Sequence, residues 1–98
     1  MDPKVLRIKH KFMSATELSW VSTEDAIAQL YSVWCAKEAM YKLYGEKKLD
    51  FRAHLFVDRF TYTGSGMLKG KISKGAYYAE PDVHYERLEE YMTAYVFQ

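Results

Sequence analysis

No glycine or proline interrupts the chain between Ser22 and Tyr44, and Gly45 follows directly. The residues from Ser22 to Asp25 are typical of a helix start, because acidic side chains in a first turn interact favourably with the helix dipole. Glycine just past the last turn is typical of a helix end. The sequence therefore predicts one helix from Ser22–Asp25 to Tyr44, roughly 30 Å long at a rise of about 1.5 Å per residue.

The apolar residues of this helix cover more than one side. One arc carries Ile27, Leu30, Tyr31, Trp34 and Tyr41, and another carries Val33, Ala36, Met40 and Leu43. A helix with this distribution is mostly buried against a sheet or a partner. We expect its charged residues Lys37, Glu38 and Lys42 to lie at the edge of the buried stripe.

The segment before this helix predicts a second, shorter helix. Ser14-Ala15-Thr16-Glu17 is a capping box, in which the serine side chain accepts the N3 amide and the glutamate reaches back to the N-cap amide. The helix that starts here should end near Trp20-Val21. The basic residues 1–13 are expected to form either a short initial helix or an irregular arm.

The second half of the chain changes to a period of two. Alternating apolar residues predict four strands, at Phe51–Asp58, Met67–Ile72, Val83–Arg87 and Tyr91–Phe97. Turn residues separate them at Thr63–Gly66, Lys74-Gly75 and Pro81-Asp82. We expect an α+β fold in which two N-terminal helices, one of them long, pack on a small antiparallel sheet of three to four strands. The 98 residues suit a single domain spanning 1–98.

The composition excludes several classes of function. The net charge is +1, from 14 basic and 13 acidic residues, so neither a nucleic-acid partner nor a membrane partner is expected. No apolar run is long enough to span a bilayer, and no signal peptide opens the chain. Cys35 is the single cysteine, which favours a reducing compartment; we expect it to be a small buried packing residue and the protein to be cytoplasmic.

A carboxylate lies between two ammonium groups in the long helix. Glu38 follows Lys37 directly and shares a helix face with Lys42, four residues on. An oxygen ligand flanked by cations suits Mg²⁺-assisted chemistry on a phosphate group. The same spacing is common in surface salt bridges, and on spacing alone that interpretation is favoured.

Two motifs of the chain resemble those of one enzyme family. Trp34-x-x-Lys37-Glu38-Ala39-x-x-Lys42, followed by Gly45, is similar to the W-x-x-K-E-A-x-x-K signature of the 4′-phosphopantetheinyl transferase superfamily. Upstream, Lys11-Phe12-Met13-Ser14-x-x-Glu17 resembles that family's (K/R)-F-(L/F)-S-x-x-E element. The resemblance extends over roughly Val5 to Phe97, and the long motif is the more specific of the two.

This resemblance implies a reaction. Members of the family transfer the 4′-phosphopantetheine arm of coenzyme A to a serine of an acyl or peptidyl carrier protein, with Mg²⁺, and release 3′,5′-ADP. By its match to the motif, Glu38 would bind the metal and could also deprotonate the serine, with Glu17 as the second candidate base. Lys42 and Lys37 would bind the phosphates of coenzyme A. The implied catalytic set is Glu38, Lys42 and Glu17, and Trp34 is expected to pack and fix the helix.

The chain also departs from the family pattern. The family's G-(V/I)-D element, whose aspartate is a primary Mg²⁺ ligand, is absent upstream of the F-x-S-x-x-E element, and Asp2 lacks the preceding glycine and strand. The chain therefore resembles a C-terminal half, whose site would be completed by a homo-oligomer or by a missing N-terminal half. The alternative is a non-catalytic α+β module that keeps the fold and acts in interaction or oligomerisation.

Overall fold

The structure is a computed structural model that describes residues 1–45 and 48–97. Within these residues the helices are α1 (Val5–Ile8), α2 (Ala15–Leu18), α3 (Ala26–Tyr44) and α4 (Phe51–His54). The strands are β1 (Leu55–Val57), β2 (Ser65–Lys74), β3 (Tyr77–Ala79), β4 (Asp82–Leu88) and β5 (Tyr91–Phe97). Helix α3 packs along the antiparallel sheet, so the predicted α+β fold is confirmed. Among the described helices, none is long and apolar enough to cross a lipid bilayer.

Helix α3 ends where the sequence predicts and starts later. Gly45 closes it in the left-handed region, at φ 76°, and donates its N–H to the carbonyl of Tyr41. The predicted start at Ser22 is wrong, because the helix begins at Ala26. The Ser22 side chain accepts hydrogen bonds from the N–H groups two and three residues further on, and this local turn competes with a helical start.

The strand predicted from Phe51 is wrong in its first half. Residues Phe51–His54 form α4, and β1 begins only at Leu55. The cause is Asp50, whose carboxylate accepts hydrogen bonds from the N–H groups of Arg52 and Ala53. Capping by an aspartate therefore selects a helical turn over the extended conformation that the apolar alternation favours.

The other three predicted strands are confirmed. The segment Met67–Ile72 lies within β2, Val83–Arg87 lies within β4, and Tyr91–Phe97 is β5. Between β4 and β5 the chain turns at Glu89, which has a φ of 58°. Sequence reasoning missed β3, which pairs with the end of β2.

The sheet has the order β1-β2-β4-β5, and β3 also pairs with β2. Strands β3 and β4 follow one register along the same edge of β2: Ile72 lies opposite Ala79, and Lys69 lies opposite Asp82. They count as separate strands because Glu80-Pro81 interrupts the ladder, where proline has no N–H to donate. The described sheet thus has five strands, one more than the upper end of the prediction.

The N-terminal region contains two short helices. A 3-10 turn at Lys9–Lys11 follows α1, so of the two predicted arrangements the short initial helix is the one observed. The predicted capping box is present, since Ser14 Oγ accepts the N–H of Glu17 and Glu17 Oε1 accepts the N–H of Ser14. Helix α2 ends at Leu18, before the predicted end near Trp20.

The core lies between α3 and the facing side of the sheet. Its fully buried apolar side chains include Leu30, Val33, Met40, Leu55, Ile72 and Val83. Gly70 allows β2 to approach the helix closely, because a Cβ at this position would lie 2.5 Å from the sulfur of Met40. The helix that carries the long motif is therefore held firmly against the sheet.

Candidate active site

An open groove runs along β5 on the side of α3. Its volume is about 620 Å³. The helix contributes Cys35, Glu38, Ala39, Lys42 and Leu43 to its lining, and the strand contributes residues 92–96. Two of the predicted site residues, Glu38 and Lys42, therefore share one concave surface.

Glu38 and Lys42 are the charged groups that line this groove. Glu38 is half-buried and Lys42 is exposed. They lie one helical turn apart, yet neither side chain belongs to any ion pair of the described residues. The surface salt bridge between Glu38 and Lys42 that the spacing favours is therefore absent from the ion pairs of the described residues. A carboxylate and an ammonium group side by side can bind a cation and an anion together.

Lys37 points into the protein and away from the groove. Its side chain is 0 % exposed. Its Nζ donates to Glu17 Oε1 at 2.7 Å and to the carbonyls of Phe12 and Phe51 at 2.6 and 3.0 Å. The expectation that Lys37 lies at the edge of the buried stripe is wrong, because a step of about 100° carries Lys37 inward and the next residue outward. Burial lowers the pKa of the Lys37 ammonium, and the Glu17 carboxylate opposes that shift.

Glu17 is enclosed together with Lys37. It is 2 % exposed, and both of its carboxylate oxygens accept hydrogen bonds. Oε1 accepts from the N–H of Ser14 at 2.8 Å and from Lys37, while Oε2 accepts from the N–H of Val57 at 2.7 Å. The structure thus brings two predicted site residues together in the interior, apart from the groove that contains the other two.

Trp34 packs between Phe12 of the upstream motif and Phe51 of α4. Its ring centroid lies 5.2 Å from that of Phe12 and 5.2 Å from that of Phe51. These contacts confirm the expected packing role, because they hold α3 against the segments that also accept hydrogen bonds from Lys37.

Cys35 belongs to the groove, a position that sequence reasoning missed. It is half-buried, and its Sγ donates to the carbonyl of Met92 at 3.5 Å. Burial, and secondarily the Glu38 carboxylate, raises the pKa of the Cys35 thiol from 9.0 to about 11. Its place in the groove could have been predicted from the sequence, because Cys35 lies three residues before Glu38 and therefore on the same helix face.

Glu38 is the acidic side chain that the groove offers to a metal ion. The part of the chain that the structure describes contains no group of three or more His, Cys, Asp or Glu side chains that could hold one. Mg²⁺ keeps several water ligands and is commonly held by one or two carboxylates together with substrate phosphates. One carboxylate beside an ammonium group is therefore compatible with a metal ion that binds together with a phosphate substrate.

Comparison with known protein families matches residues 1–96 to the 4′-phosphopantetheinyl transferase superfamily. No curated protein and no solved structure matches the chain. The matched region includes both sequence motifs, the capping box of α2 and the whole of α3. The chain therefore belongs to the 4′-phosphopantetheinyl transferase superfamily.

Proposed function

We propose that this chain takes part in the transfer of 4′-phosphopantetheine from coenzyme A to a serine of an acyl or peptidyl carrier protein. The observation that supports this most is the presence of Glu38 and Lys42 in one open groove. In the proposed reaction the serine Oγ forms a bond to the phosphorus of the phosphopantetheine arm. The bond from that phosphorus to the oxygen of 3′,5′-ADP breaks. A group must accept the serine proton, and cations must stabilise the leaving phosphate.

Lys42 is proposed to bind the pyrophosphate of coenzyme A. Its ammonium group is exposed at the groove and belongs to none of the ion pairs of the described residues. A cation there attracts the pyrophosphate in the ground state. It also stabilises the negative charge that grows on the 3′,5′-ADP oxygen as the bond to phosphorus breaks.

Glu38 is proposed to bind Mg²⁺ and to accept the serine proton on a carboxylate oxygen, directly or through a water molecule. The metal, when bound, would neutralise charge on the phosphates. Glu38 lies on the long, well-packed helix α3, so its position relative to Lys42 is set by the helix itself. A proton acceptor and a phosphate-binding cation one turn apart suit an in-line transfer.

For Lys37 and Glu17 we propose positioning roles in place of substrate contact. Both are buried, and both oxygens of Glu17 already accept hydrogen bonds. Their network ties α3 to α2 and β1, and the residue next to Lys37 is Glu38. Of the two candidate bases, the accessible Glu38 is therefore favoured over the enclosed Glu17.

We further propose that the matched region is a single domain equivalent to the C-terminal half of larger members. One carboxylate supports metal binding weakly, so a second copy of the chain or an N-terminal half is proposed to complete the coenzyme A site. The proposed setting is the cytoplasm, where a lone cysteine stays reduced.

The second candidate function is that of a non-catalytic interaction or oligomerisation module. The observation that favours it is the exposure of large apolar side chains on β5, where Tyr91 is 74 % exposed and Phe97 59 %. Surfaces of this kind are typical of interfaces between proteins.

One experiment separates the two functions. The chain is incubated with coenzyme A, Mg²⁺ and an apo carrier protein of the fatty-acid or the peptide-synthesis type, and the intact mass of the carrier is measured. Transfer predicts one added phosphopantetheine group, and no addition when the acceptor serine is replaced by alanine. A folded chain that leaves every carrier unmodified excludes activity of this chain by itself. An adduct regained on adding an N-terminal half would support a split enzyme, and no adduct in either case supports the module.

A further inference from the structure

Helix α4 is a single turn that reciprocal side-chain hydrogen bonds hold closed. The Asp50 carboxylate oxygen Oδ1 accepts the N–H groups of Arg52 and Ala53 at 2.8 and 3.0 Å. In return, the N–H of Asp50 donates to Nδ1 of His54 at 2.8 Å. The arrangement is similar to a capping box, with a histidine in place of the usual glutamate. Unlike that glutamate, a histidine changes its charge between about pH 5 and 8.

The hydrogen bond to His54 fixes the position of the ring proton. A backbone N–H is a donor only, so Nδ1 of His54 must accept and therefore carries no proton. The neutral ring then has its proton on Nε2. When the ring gains a second proton, that proton lies on Nδ1, which can no longer accept from the N–H of Asp50.

The Asp50 carboxylate offers the protonated ring another partner. Hydrogen bonds from the N–H groups of Ala53 and Arg52 lower the pKa of the Asp50 carboxyl, so this group is ionised while a histidine titrates. An imidazolium is attracted to the same carboxylate that caps the turn. Protonation of His54 therefore removes one bond of the turn and competes for the group that makes the other two.

The charges on the neighbouring elements reinforce this change of partner. Helix α4 packs against β1, β2 and the 3-10 turn at Lys9–Lys11, and a hydrogen bond joins it to α3. The described residues of α4, β1, β2 and the 3-10 turn include no acidic side chain. The cationic and titratable side chains of the surrounding elements are Lys9, His10, Lys11, Lys37, Lys71 and Lys74. These cations repel an imidazolium, so it turns toward Asp50.

The turn matters because it holds Phe51 against α3. The carbonyl of Phe51 accepts from Nζ of Lys37 at 3.0 Å. The Phe51 ring centroid lies 5.2 Å from that of Trp34 and 5.5 Å from that of Tyr41. Phe51 is the first residue of α4 and directly follows the cap residue, so its place depends on the cap being closed.

We propose that α4 is a pH-sensitive latch: protonation of His54 at Nδ1 releases the N–H of Asp50 and loosens the hold of Phe51 on α3. At neutral and higher pH the turn is closed, and Phe51 keeps its contacts with Lys37 and Trp34. At acid pH the turn opens and these contacts weaken. The latch rests on the hydrogen bonds of α4, and it does not depend on the chain's being an active transferase.

Nuclear magnetic resonance of the isotope-labelled 98-residue chain, from about pH 8 to about pH 5, tests the latch. At the upper end, the ring of His54 should show an unprotonated Nδ1 and a protonated Nε2. As His54 gains its proton, the backbone amide of Asp50 should shift with the same midpoint. Its protection against hydrogen exchange, relative to an unfolded chain at the same pH, should fall about fivefold, as expected for the loss of one hydrogen bond. The nuclear Overhauser contact between the rings of Phe51 and Trp34 should weaken in parallel.

Three variants separate His54 from other titrating groups. His54→Gln keeps an oxygen that can accept the N–H of Asp50 but does not titrate, so the amide and the ring contact should stay constant over the range. His54→Ala removes the acceptor at every pH and should show the open turn already at about pH 8. His10→Gln removes the histidine of the 3-10 turn and should titrate as the wild type does.

Circular dichroism confirms that each variant is folded before its spectra are interpreted. A proton on Nδ1 of His54 at the upper end of the range overturns the proposal. So does an Asp50 amide that stays unchanged while His54 titrates, or a response in His54→Gln equal to that of the wild type.

Discussion

Lys37 and Glu17 form an ion pair inside the protein, with 2.7 Å between Nζ and Oε1 and side-chain exposures of 0 % and 3 %. The pair also bonds to the carbonyls of Phe12 and Phe51 and to the N–H of Val57. It therefore connects three separate segments to helix α3. Burying two charges costs free energy, so the arrangement is stable only while each charge keeps its partner.

Replacing Lys37 should destabilise the whole fold. Lys37→Met keeps the length of the side chain but leaves the Glu17 carboxylate buried without a cation, so we expect the free energy of unfolding to fall by about 3–5 kcal/mol. Urea denaturation followed by circular dichroism measures this. The neighbouring surface substitution Glu38→Gln is the control and should change stability by about 0.5 kcal/mol or less. If Lys37→Met costs no more than the control, the pair does not organise the fold.

The pH dependence of Cys35 alkylation tests the geometry of the groove. The thiolate is the reactive form, so alkylation by iodoacetamide should have its midpoint near the pKa of about 11 in the folded chain and near 9.0 in urea. Between pH 9.0 and about 11, the Cys35 thiol therefore keeps its proton in the folded chain but loses it in the unfolded chain. The thiol thus contributes stability that is complete below pH 9.0 and is lost as the pH rises toward 11.

Glu38→Gln is the informative variant in that experiment. Because the Glu38 carboxylate is one of the two causes of the raised pKa, its removal should lower the alkylation midpoint while burial keeps it above the ordinary value. Mass spectrometry of the alkylated chain gives the profile. An unchanged midpoint would show that Glu38 does not lie near the thiol.

A methyl group at Gly70 should loosen the contact between β2 and α3. In Gly70→Ala the new Cβ would lie 2.5 Å from the sulfur of Met40 and 3.1 Å from the carbonyl oxygen of Pro81. We expect a loss of about 1–3 kcal/mol in thermal or urea unfolding. Gly66→Ala on the same strand is the matched control, because its Cβ would meet the Tyr85 ring at an ordinary 3.4 Å. Equal stability of the two variants would mean that the helix is less closely packed than described.

The sequence predicted the elements whose signals are local and unopposed. The capping box at Ser14 and the helix end at Gly45 depend on a few neighbouring residues, and both are confirmed. The errors arose where two local signals compete. Acidic residues favoured an early start of α3, but the Ser22 side chain accepts a hydrogen bond from the backbone N–H of Glu24 and forms a local turn instead. Apolar alternation favoured a strand at Phe51, but the Asp50 side chain caps a helical turn there.

The candidate site was predictable only in part for a related reason. The motif places Lys37, Glu38 and Lys42 on one helix, but which of them faces the interior depends on contacts with distant segments. Lys37 is buried because Glu17 and the carbonyl of Phe12 reach it, at separations of 20 and 25 residues. The wall formed by β5 depends likewise on the order of strands in the sheet, which the pattern of a single strand does not encode.

Lys42 should contribute to coenzyme A binding without supporting the fold. Lys42→Ala removes an exposed ammonium from the groove, so we expect the dissociation constant for coenzyme A to rise about tenfold or more, in line with the loss of one charged hydrogen bond. Isothermal titration calorimetry measures it. Lys4→Ala, which removes the same charge from an exposed position outside the groove, should bind as the wild type does. If both variants bind equally, Lys42 does not contact the ligand.

Glu38 is proposed to carry the chemistry of this groove, and the rate of phosphopantetheine transfer to an apo carrier protein tests this claim. We predict that Glu38→Gln, with stability unchanged, lowers the rate by about 10²-fold or more, because it removes both the proton acceptor and the carboxylate ligand. Glu24→Gln, which alters an acidic residue outside the groove, should transfer at the wild-type rate. A Glu38→Gln chain that modifies the carrier as fast as the wild type would contradict the claim.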